Sequence, residues 1–339
     1  MPNTPTKILL LTTLMGGILI SISSNSWLGA WMGLEINLMS FIPVMLSKEN
    51  IYTNEASLKY FLIQALASIS LLFLVMMKFL INQTILTSSM HSYVMMMPLL
   101  MKMGAAPMHW WFPSVMEGLS WMNCLLMMTM QKIAPMILTS YLLKMNNPTM
   151  LIVLMSVLMG SMGGMNQTSL RKILTYSSIN HTGWMLMAML GGNNLWLMYF
   201  SIYSLLTSSV VMITSSYNLS FVNQTMMTSK STKMKFMLFT TLLSLGGLPP
   251  FIGFLPKWMV IQMMMMNNMS FTMTVMVLMS LTTLYFYLRM TYSSFLILSE
   301  ETKWNTWSTS KNSKIIYSTI LASTSMMGLL VSTLIINTN

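Results

Sequence analysis

Residues 101–113 read MKMGAAPMHWWFP and lie inside a long apolar region of the chain. A lysine such as Lys102 costs roughly 2.5–3.5 kcal/mol where it faces lipid at the centre of a bilayer. Gly104 and Pro107 predict a break in any helix that carries this lysine. A broken helix is tolerated at membrane depth only where protein or a water-filled cavity satisfies its freed backbone groups. The stretch therefore predicts the lining of an ion path.

The same spacing returns in residues 247–257, which read GLPPFIGFLPK. In both stretches a glycine is followed by a proline three positions later and by another proline six positions after that. Lys102 precedes the first break, whereas Lys257 follows the second. Two interrupted membrane helices in corresponding positions are typical of transporters built from inverted repeats. The sequence therefore predicts two such repeats, which include residues 92–216 and 236–298.

The composition excludes a soluble globular protein. Of the 339 residues, 55% are hydrophobic and only 7% are charged, whereas soluble domains have roughly 25% charged residues. The mean hydropathy is +0.66. We expect residues 1–339 to form a single transmembrane domain. The one cysteine, Cys124, allows no internal disulfide.

The methionine content points to the origin of the gene. The chain has 47 methionines. Methionine packs well against irregular helix surfaces, but packing does not require so many. A genetic code that reads an isoleucine codon as methionine, as in animal mitochondria, accounts for the excess. We therefore expect an organelle-encoded protein.

Apolar stretches of roughly 20 residues, the length that crosses a bilayer as a helix, recur along the whole chain. They predict an all-α polytopic membrane protein with eleven transmembrane helices, two of them broken. Only residues 217–235 and 299–313 form longer loops. The predicted spans are 8–23, 26–46, 56–80, 92–118 (broken), 121–143, 149–165, 169–190, 194–216, 236–265 (broken), 270–298 and 314–336.

Ten basic residues collect on one side of this topology, whereas Lys78 and Lys144 lie at span ends on the other side. By the positive-inside rule that side faces the matrix or cytoplasm, so the N-terminus lies inside and, after an odd number of spans, the C-terminus outside. The net charge of +11 then favours contact with anionic lipid such as cardiolipin. No basic patch interleaved with aromatic residues predicts nucleic-acid binding. The residues on the inner side are Lys7, Lys48, Arg171, Lys172, Lys230, Lys233, Lys235, Lys303, Lys311 and Lys314.

Four charged residues fall near the middle of predicted spans: Glu35, Lys102, Lys132 and Lys257. Charged residues in spans mark ion and proton pathways. Lysine suits a proton relay because burial and a neighbouring carboxylate shift its proton affinity in opposite directions. Glu35 is the only acid among the four, so it is the natural counter-charge for a lysine. His181 also lies within a span and is a further relay candidate. The alternative is a set of static ion pairs that fix helix register.

Sequence signals for redox chemistry are missing. No glycine-rich dinucleotide fingerprint follows a predicted strand. No cysteine or histidine cluster has the spacing of an iron–sulfur, haem or zinc site. We therefore expect no cofactor and no metal to be bound by this chain.

Five motifs recur in order in a known family. The chain resembles the antiporter-like membrane subunits of mitochondrial NADH–ubiquinone oxidoreductase, respiratory complex I, and is most similar to insect forms. The resemblance covers essentially the whole length. It implies that Glu35 is the family's acidic residue, Lys102 and Lys257 the lysines of the broken helices, and Lys132 the central relay lysine. The motifs occupy residues 102–113, 131–135, 166–172, 176–181 and 245–251.

The resemblance also implies a setting for the chain. It implies a multi-pass protein of the mitochondrial inner membrane that is not a free monomer and contacts neighbouring antiporter-like subunits. It places NADH, FMN, the iron–sulfur clusters and ubiquinone on other subunits of the complex. Compared with bacterial relatives, the sequence is expected to lack three N-terminal helices. The function implied is proton translocation coupled to NADH oxidation and ubiquinone reduction elsewhere in the complex.

Two alternatives stay open at this point. A free-standing cation/proton antiporter shares the broken-helix architecture, and exchange catalysed by the purified chain in liposomes would favour it. A structural membrane scaffold of the complex would retain the charges without using them, and pumping unaffected by neutralisation of Lys102 would favour that alternative.

Overall fold

The structure, a computed structural model, describes residues 5–47, 50–81, 87–227, 232–296, 319–320, 322–326 and 328. Within these ranges the named elements are α-helices, and Ser169 and Phe221 form an isolated β-bridge. The helices are α1 Pro5–Ser23, α2 Trp27–Met45, α3 Ile51–Ile81, α4 Thr87–Met103, α5 Trp111–Gly118, α6 Trp121–Met128, α7 Met130–Ser140, α8 Asn147–Gly164, α9 Leu170–Gly191, α10 Asn193–Tyr217, α11 Val222–Met227, α12 Thr232–Gly246, α13 Phe254–Met266 and α14 Ser270–Leu296.

Six helices in the described part of the chain are long and apolar enough to cross a membrane, namely α1, α2, α3, α8, α10 and α14. The all-α prediction is confirmed over the described residues, whereas the total of eleven crossings stays a prediction. Of the predicted span 314–336, the structure describes residues 319–320, 322–326 and 328, which are helical. Lys48, Lys230, Lys303, Lys311 and Lys314 of the predicted inner face lie outside the described residues.

The chain divides into two compact units, Met1–Ser156 and Val157–Asn339. In the first unit, α1 packs closely on α2, and α3 packs on α2, α4 and α5. Glycines allow the first of these contacts: a Cβ on Gly33 would lie 2.5 Å from the backbone nitrogen of Ser21, and one on Gly17 would lie 2.8 Å from that of Asn37. Small residues permit such close approach of membrane helices. The contact fixes α2, the helix that carries Glu35.

The second unit is built around α9. Seventeen of the 22 residues of this helix are buried, including several polar ones, because α10, α13 and α14 pack on it. Gly160 lies so close to α9 that a Cβ there would be 2.4 Å from the backbone nitrogen of Asn180. A polar helix of this kind is stable in a membrane protein only when other helices shield it from lipid. α9 is therefore the interior element of its unit.

One predicted span differs from the structure. Residues 121–143 were expected to form a single helix, but the chain is helical over Trp121–Met128 and Met130–Ser140, with a break at Thr129 (φ −113°, ψ −76°). The Thr129 hydroxyl donates to the carbonyl of Leu125 (2.8 Å), a contact that bends helices. Pro135 lies inside α7 and, without an N–H, cannot bond to the carbonyl four residues earlier. The break lies just before Lys132.

Candidate functional site

The first helix break is formed by a glycine cap. α4 ends at Met103, and Gly104 follows it with φ +71°. The N–H of Gly104 donates to the carbonyl of Met101 (3.2 Å), and the N–H of Ala105 donates to that of Leu100 (3.0 Å). This pair of bonds is a Schellman motif, which ends a helix at a glycine in the left-handed conformation.

The second break repeats this geometry. α12 ends at Gly246, and Gly247 has φ +83°. The N–H of Gly247 donates to the carbonyl of Ser244 (3.0 Å), and the N–H of Leu248 donates to that of Leu243 (3.4 Å). Both predicted break positions therefore coincide with helix ends, although their depth in the membrane stays a prediction. In each case the glycine, and not the following proline, forms the cap.

Side chains also donate to carbonyls at the two helix ends, and they differ between the two breaks. At the first break, Trp111 Nε1 donates to the carbonyl of Met101 (3.0 Å), and Gln64 Nε2 donates to that of Lys102 (3.3 Å). At the second break, Lys257 Nζ donates to the carbonyl of Gly246 (2.8 Å). A cation is favoured at a helix C-terminus, where the helix dipole is negative. Lys257, which follows the second break, thus caps the end of α12, whereas Lys102, which precedes the first break, does not cap the end of α4.

Lys102 is 6% exposed and lines a small cavity in the first unit. Glu35 is half-buried on α2 and is near enough for its charge to act on Lys102. The described residues nevertheless include no ion pair within 4.0 Å between them. The structure therefore brings the predicted partners into one neighbourhood without a direct contact, and their switching stays a prediction.

A hydrogen-bonded chain of neutral side chains runs beside Lys102. The Tyr60 hydroxyl donates to Gln131 Oε1 (3.3 Å), and Gln131 Nε2 donates to Asn37 Oδ1 (3.1 Å). All three residues are buried. Sequence reasoning missed this chain, and the available signal was the pair of amides one or two positions from the predicted charges Glu35 and Lys132.

Lys132 is 1% exposed and lies at the start of α7. Its Nζ sits 5.1 Å from the centroid of the Phe112 ring, a distance at which an ammonium is attracted to an aromatic face. Phe112 in turn packs against Gly104, where a Cβ would lie 3.1 Å from the ring. Lys132 is therefore placed against the first break.

Lys257 and His181 lie in the second unit, and both contact α9 or its partners. Lys257 is 4% exposed, and its Nζ is 5.9 Å from the centroid of the Trp184 ring. His181 Nδ1 is hydrogen-bonded to the Tyr199 hydroxyl (2.9 Å), and its ring is 5.1 Å from that of Tyr203. The structure therefore places Glu35, Lys102 and Lys132 in one unit and His181 and Lys257 in the other.

In the described part of the chain, no group of three or more histidine, cysteine, aspartate or glutamate side chains is placed to hold an ion. That the chain binds no metal and no cofactor stays a prediction.

Comparisons with family models and solved structures show the class of protein to which this fold belongs. Residues 24–284 match the family model for the transmembrane part of NADH:quinone oxidoreductase and Mrp antiporter subunits, and residues 284–336 match the model for the C-terminus of NADH dehydrogenase subunit 2. The structure superimposes on a chain of respiratory complex I from Thermus thermophilus with a TM-score of 0.84 and 22% identity, covering 98% of this chain and 80% of that one. A chain of the Mrp complex from a Dietzia species gives a TM-score of 0.83 and 14% identity, and the match covers 96% of this chain and 75% of that one. The fold is therefore that of an antiporter-like membrane subunit.

Proteins of similar sequence identify one family within this class of antiporter-like membrane subunits. The chain is 52% identical over 298 residues to NADH-ubiquinone oxidoreductase chain 2 of Anopheles gambiae, covering 87% of each chain. It is 45% identical over 334 residues to that of Locusta migratoria (97% of each) and 40% identical over 301 residues to that of Loxodonta africana (87% of each). The chain belongs to the NADH-ubiquinone oxidoreductase chain 2 family, which confirms the resemblance, including that to insect forms.

Proposed function

We propose that this chain is an antiporter-like subunit of the membrane arm of proton-pumping NADH:ubiquinone oxidoreductase and that it translocates protons across the mitochondrial inner membrane. Membership of the chain 2 family supports the assignment to the complex. NADH oxidation and ubiquinone reduction take place on other subunits. The chain works with neighbouring antiporter-like subunits and with anionic lipid such as cardiolipin.

The observation that carries the proposal is the burial of three lysines inside a membrane fold. Lys102, Lys132 and Lys257 are each at most 6% exposed. Charged side chains at membrane depth are costly and concentrate along ion and proton pathways. A buried amine changes its proton affinity when a neighbouring charge moves, and this property can couple an electrical change to the transfer of a proton.

The residues have separate roles in this proposal. Glu35 is the counter-charge of Lys102, and the two form a switchable pair. Lys132 passes the proton toward Lys257, and His181 is a further relay group. Transfer from Lys132 to Lys257 is inferred from the chemistry of the residues alone.

We also propose how the chain is arranged across the membrane. The chain crosses the membrane eleven times, with interrupted helices at residues 92–118 and 236–265, in two inverted repeats within one transmembrane domain. The N-terminus faces the matrix and the C-terminus the intermembrane space. The matching glycine caps at Gly104 and Gly247 support the repeat.

The experiment replaces Glu35 in the intact complex and measures the ratio of protons moved to NADH oxidised. Glu35→Gln keeps the shape and removes the charge that acts on Lys102, so we expect a lower ratio. Glu55→Gln is the matched control, because Glu55 forms an exposed ion pair with Lys59 (2.7 Å), and it should keep the wild-type ratio. A fully assembled Glu35→Gln complex with the wild-type ratio would contradict the role of Glu35.

A further inference from the structure

Three polar residues of α3 form a stripe along one face of that helix. Tyr60, Gln64 and Ser68 are buried and follow one another at intervals of four positions, so they lie on the same side of the helix. We call these three residues the α3 stripe. Polar groups buried in a membrane protein need hydrogen-bond partners, and the α3 stripe finds partners on three other helices.

Two side chains of the α3 stripe reach the elements that carry lysines. The Tyr60 hydroxyl donates to Gln131 Oε1 (3.3 Å), and Gln131 immediately precedes Lys132 on α7. Gln64 Nε2 donates to the carbonyl of Lys102, the last residue but one of α4 (3.3 Å). Each of these two hydrogen bonds therefore ends at a lysine of the candidate site or at its neighbour in the chain.

Two further hydrogen bonds attach α2, the helix that carries Glu35. Trp31 Nε1 donates to the carbonyl of Ser68 (3.1 Å), and Trp31 lies one helical turn before Glu35. On the other side of Glu35, Asn37 Oδ1 accepts from Gln131 Nε2 (3.1 Å). Glu35 is therefore bracketed by two bonds, one to α3 and one to α7.

These bonds matter because the charges act on one another through distance. Lipid is as apolar as the helix surfaces, so packing and interhelical hydrogen bonds, more than a hydrophobic force, fix how membrane helices lie against each other. The Coulomb energy of two charges depends on their separation, and Glu35 is near enough for its charge to act on Lys102. A shift of α2 against α4 would therefore change that interaction.

We propose that the α3 stripe and the amide pair of Asn37 and Gln131 together form a positioning frame for the candidate site. The frame sets the distances of Glu35 from Lys102 and Lys132, and through them the strength with which the three charges act on one another. Its members are neutral and exchange no proton themselves. This inference rests on the proposed function and adds the residues that hold the charged groups in place.

Gln131→Asn in the intact complex tests the positioning frame. It keeps the amide but shortens the side chain by one carbon, so the amide no longer reaches Asn37 at hydrogen-bond distance. We expect the ratio of protons moved to NADH oxidised to fall part of the way to the value of Glu35→Gln. The double variant Asn37→Gln/Gln131→Asn returns the missing carbon from the opposite side of the pair, and we expect it to recover most of that loss.

Gln64→Met tests the α3 stripe at a second position. Methionine keeps the length of the side chain and removes the donor to the carbonyl of Lys102, so the ratio should fall here too. Ser57→Ala is the control on α3, because Ser57 is buried and its hydroxyl bonds within the helix, to the carbonyl of Asn54 (2.8 Å). Thermal inactivation is measured for every variant, since a frame that only stabilises the fold would lower heat resistance and leave the ratio unchanged.

The outcomes separate this inference from the proposed function. If Glu35→Gln lowers the ratio while the assembled Gln131→Asn or Gln64→Met complex keeps the wild-type value, the positioning frame is wrong and the proposed function stands. If Glu35→Gln keeps the wild-type ratio, its proposed role is wrong and the inference falls with it. A loss in Gln131→Asn that the double variant does not recover would also overturn the inference, because the bond between the two amides would then not be its cause.

Discussion

Gly247 is the residue on which the geometry of Lys257 depends. It adopts φ +83°, a conformation that costs residues with a Cβ roughly 1–2 kcal/mol. A Cβ there would lie 2.9 Å from Lys257 Cδ and 3.0 Å from its Nζ. The glycine therefore ends α12 and also leaves the space through which the lysine reaches the carbonyl of Gly246.

We expect Gly247→Ala to displace Lys257 from the helix end and to destabilise the second unit by about 1–2 kcal/mol. Thermal inactivation of the intact complex measures the destabilisation, and the ratio of protons moved to NADH oxidised should fall. Gly246→Ala is the control, because a Cβ at Gly246 would meet its nearest neighbour at 3.5 Å, an ordinary contact. Equal behaviour of the two alanine variants would argue against this role of Gly247.

The charged residues of the candidate site could be proposed from the sequence, but the chain of hydrogen-bonded amides beside Lys102 could not. A lysine or glutamate within an apolar span stands out because its burial is costly, which led directly to Glu35 and Lys102. Asn37 and Gln131 carry no charge, and they meet across 94 positions of sequence. Which distant amides pair depends on how α2 packs against α7, and periodicity and composition do not contain that information.

At the scale of elements, the break after α4 is held by a side chain from the helix that follows it. Trp111 donates from Nε1 to the carbonyl of Met101 (3.0 Å) and packs on the rings of Tyr60 and Phe112. The first residue of α5 thus satisfies a carbonyl at the end of α4. This bond fixes the turn of helix that carries Lys102.

We expect Trp111→Phe to destabilise the first break by about 1 kcal/mol, the usual net contribution of one hydrogen bond, while the ring contacts remain. Hydrogen exchange of the backbone amides of residues 101–105 in the intact complex measures the effect, and exchange should become faster. Trp110→Phe is the adjacent control, because Trp110 is 77% exposed. Unchanged exchange in Trp111→Phe would show that the Schellman motif alone holds the break.

The positions of several helix ends could be predicted from the sequence, but the interactions that end or break the helices could not. Glycine and proline at fixed spacing predicted the positions where α4 and α12 end, since these residues disfavour helix interiors. The break at Thr129 was missed because a threonine that bonds back to Leu125 leaves no mark in the pattern of apolar residues. Pro135 was visible, but a proline bends some membrane helices without ending them.

At the scale of the whole molecule, each of the two units contains a glycine-capped helix end and a nearly fully buried lysine beside it. In the first unit Lys132 lies against Phe112 and the break after α4. In the second, Lys257 lies on the break after α12. We propose that these buried lysines move protons, and Lys132, which is 1% exposed, allows a direct test.

The decisive measurement is the number of protons moved per NADH oxidised by intact complex that carries Lys132→Met, reconstituted in vesicles. Methionine matches the lysine stem and suits a helix, so the subunit should assemble. Lys59→Met is the matched control, since Lys59 is exposed and paired with Glu55. We expect Lys132→Met to abolish proton transfer through this subunit and to lower the ratio, whereas Lys59→Met should keep it. A fully assembled Lys132→Met complex with the wild-type ratio would contradict the account, because the buried lysines would then be structural.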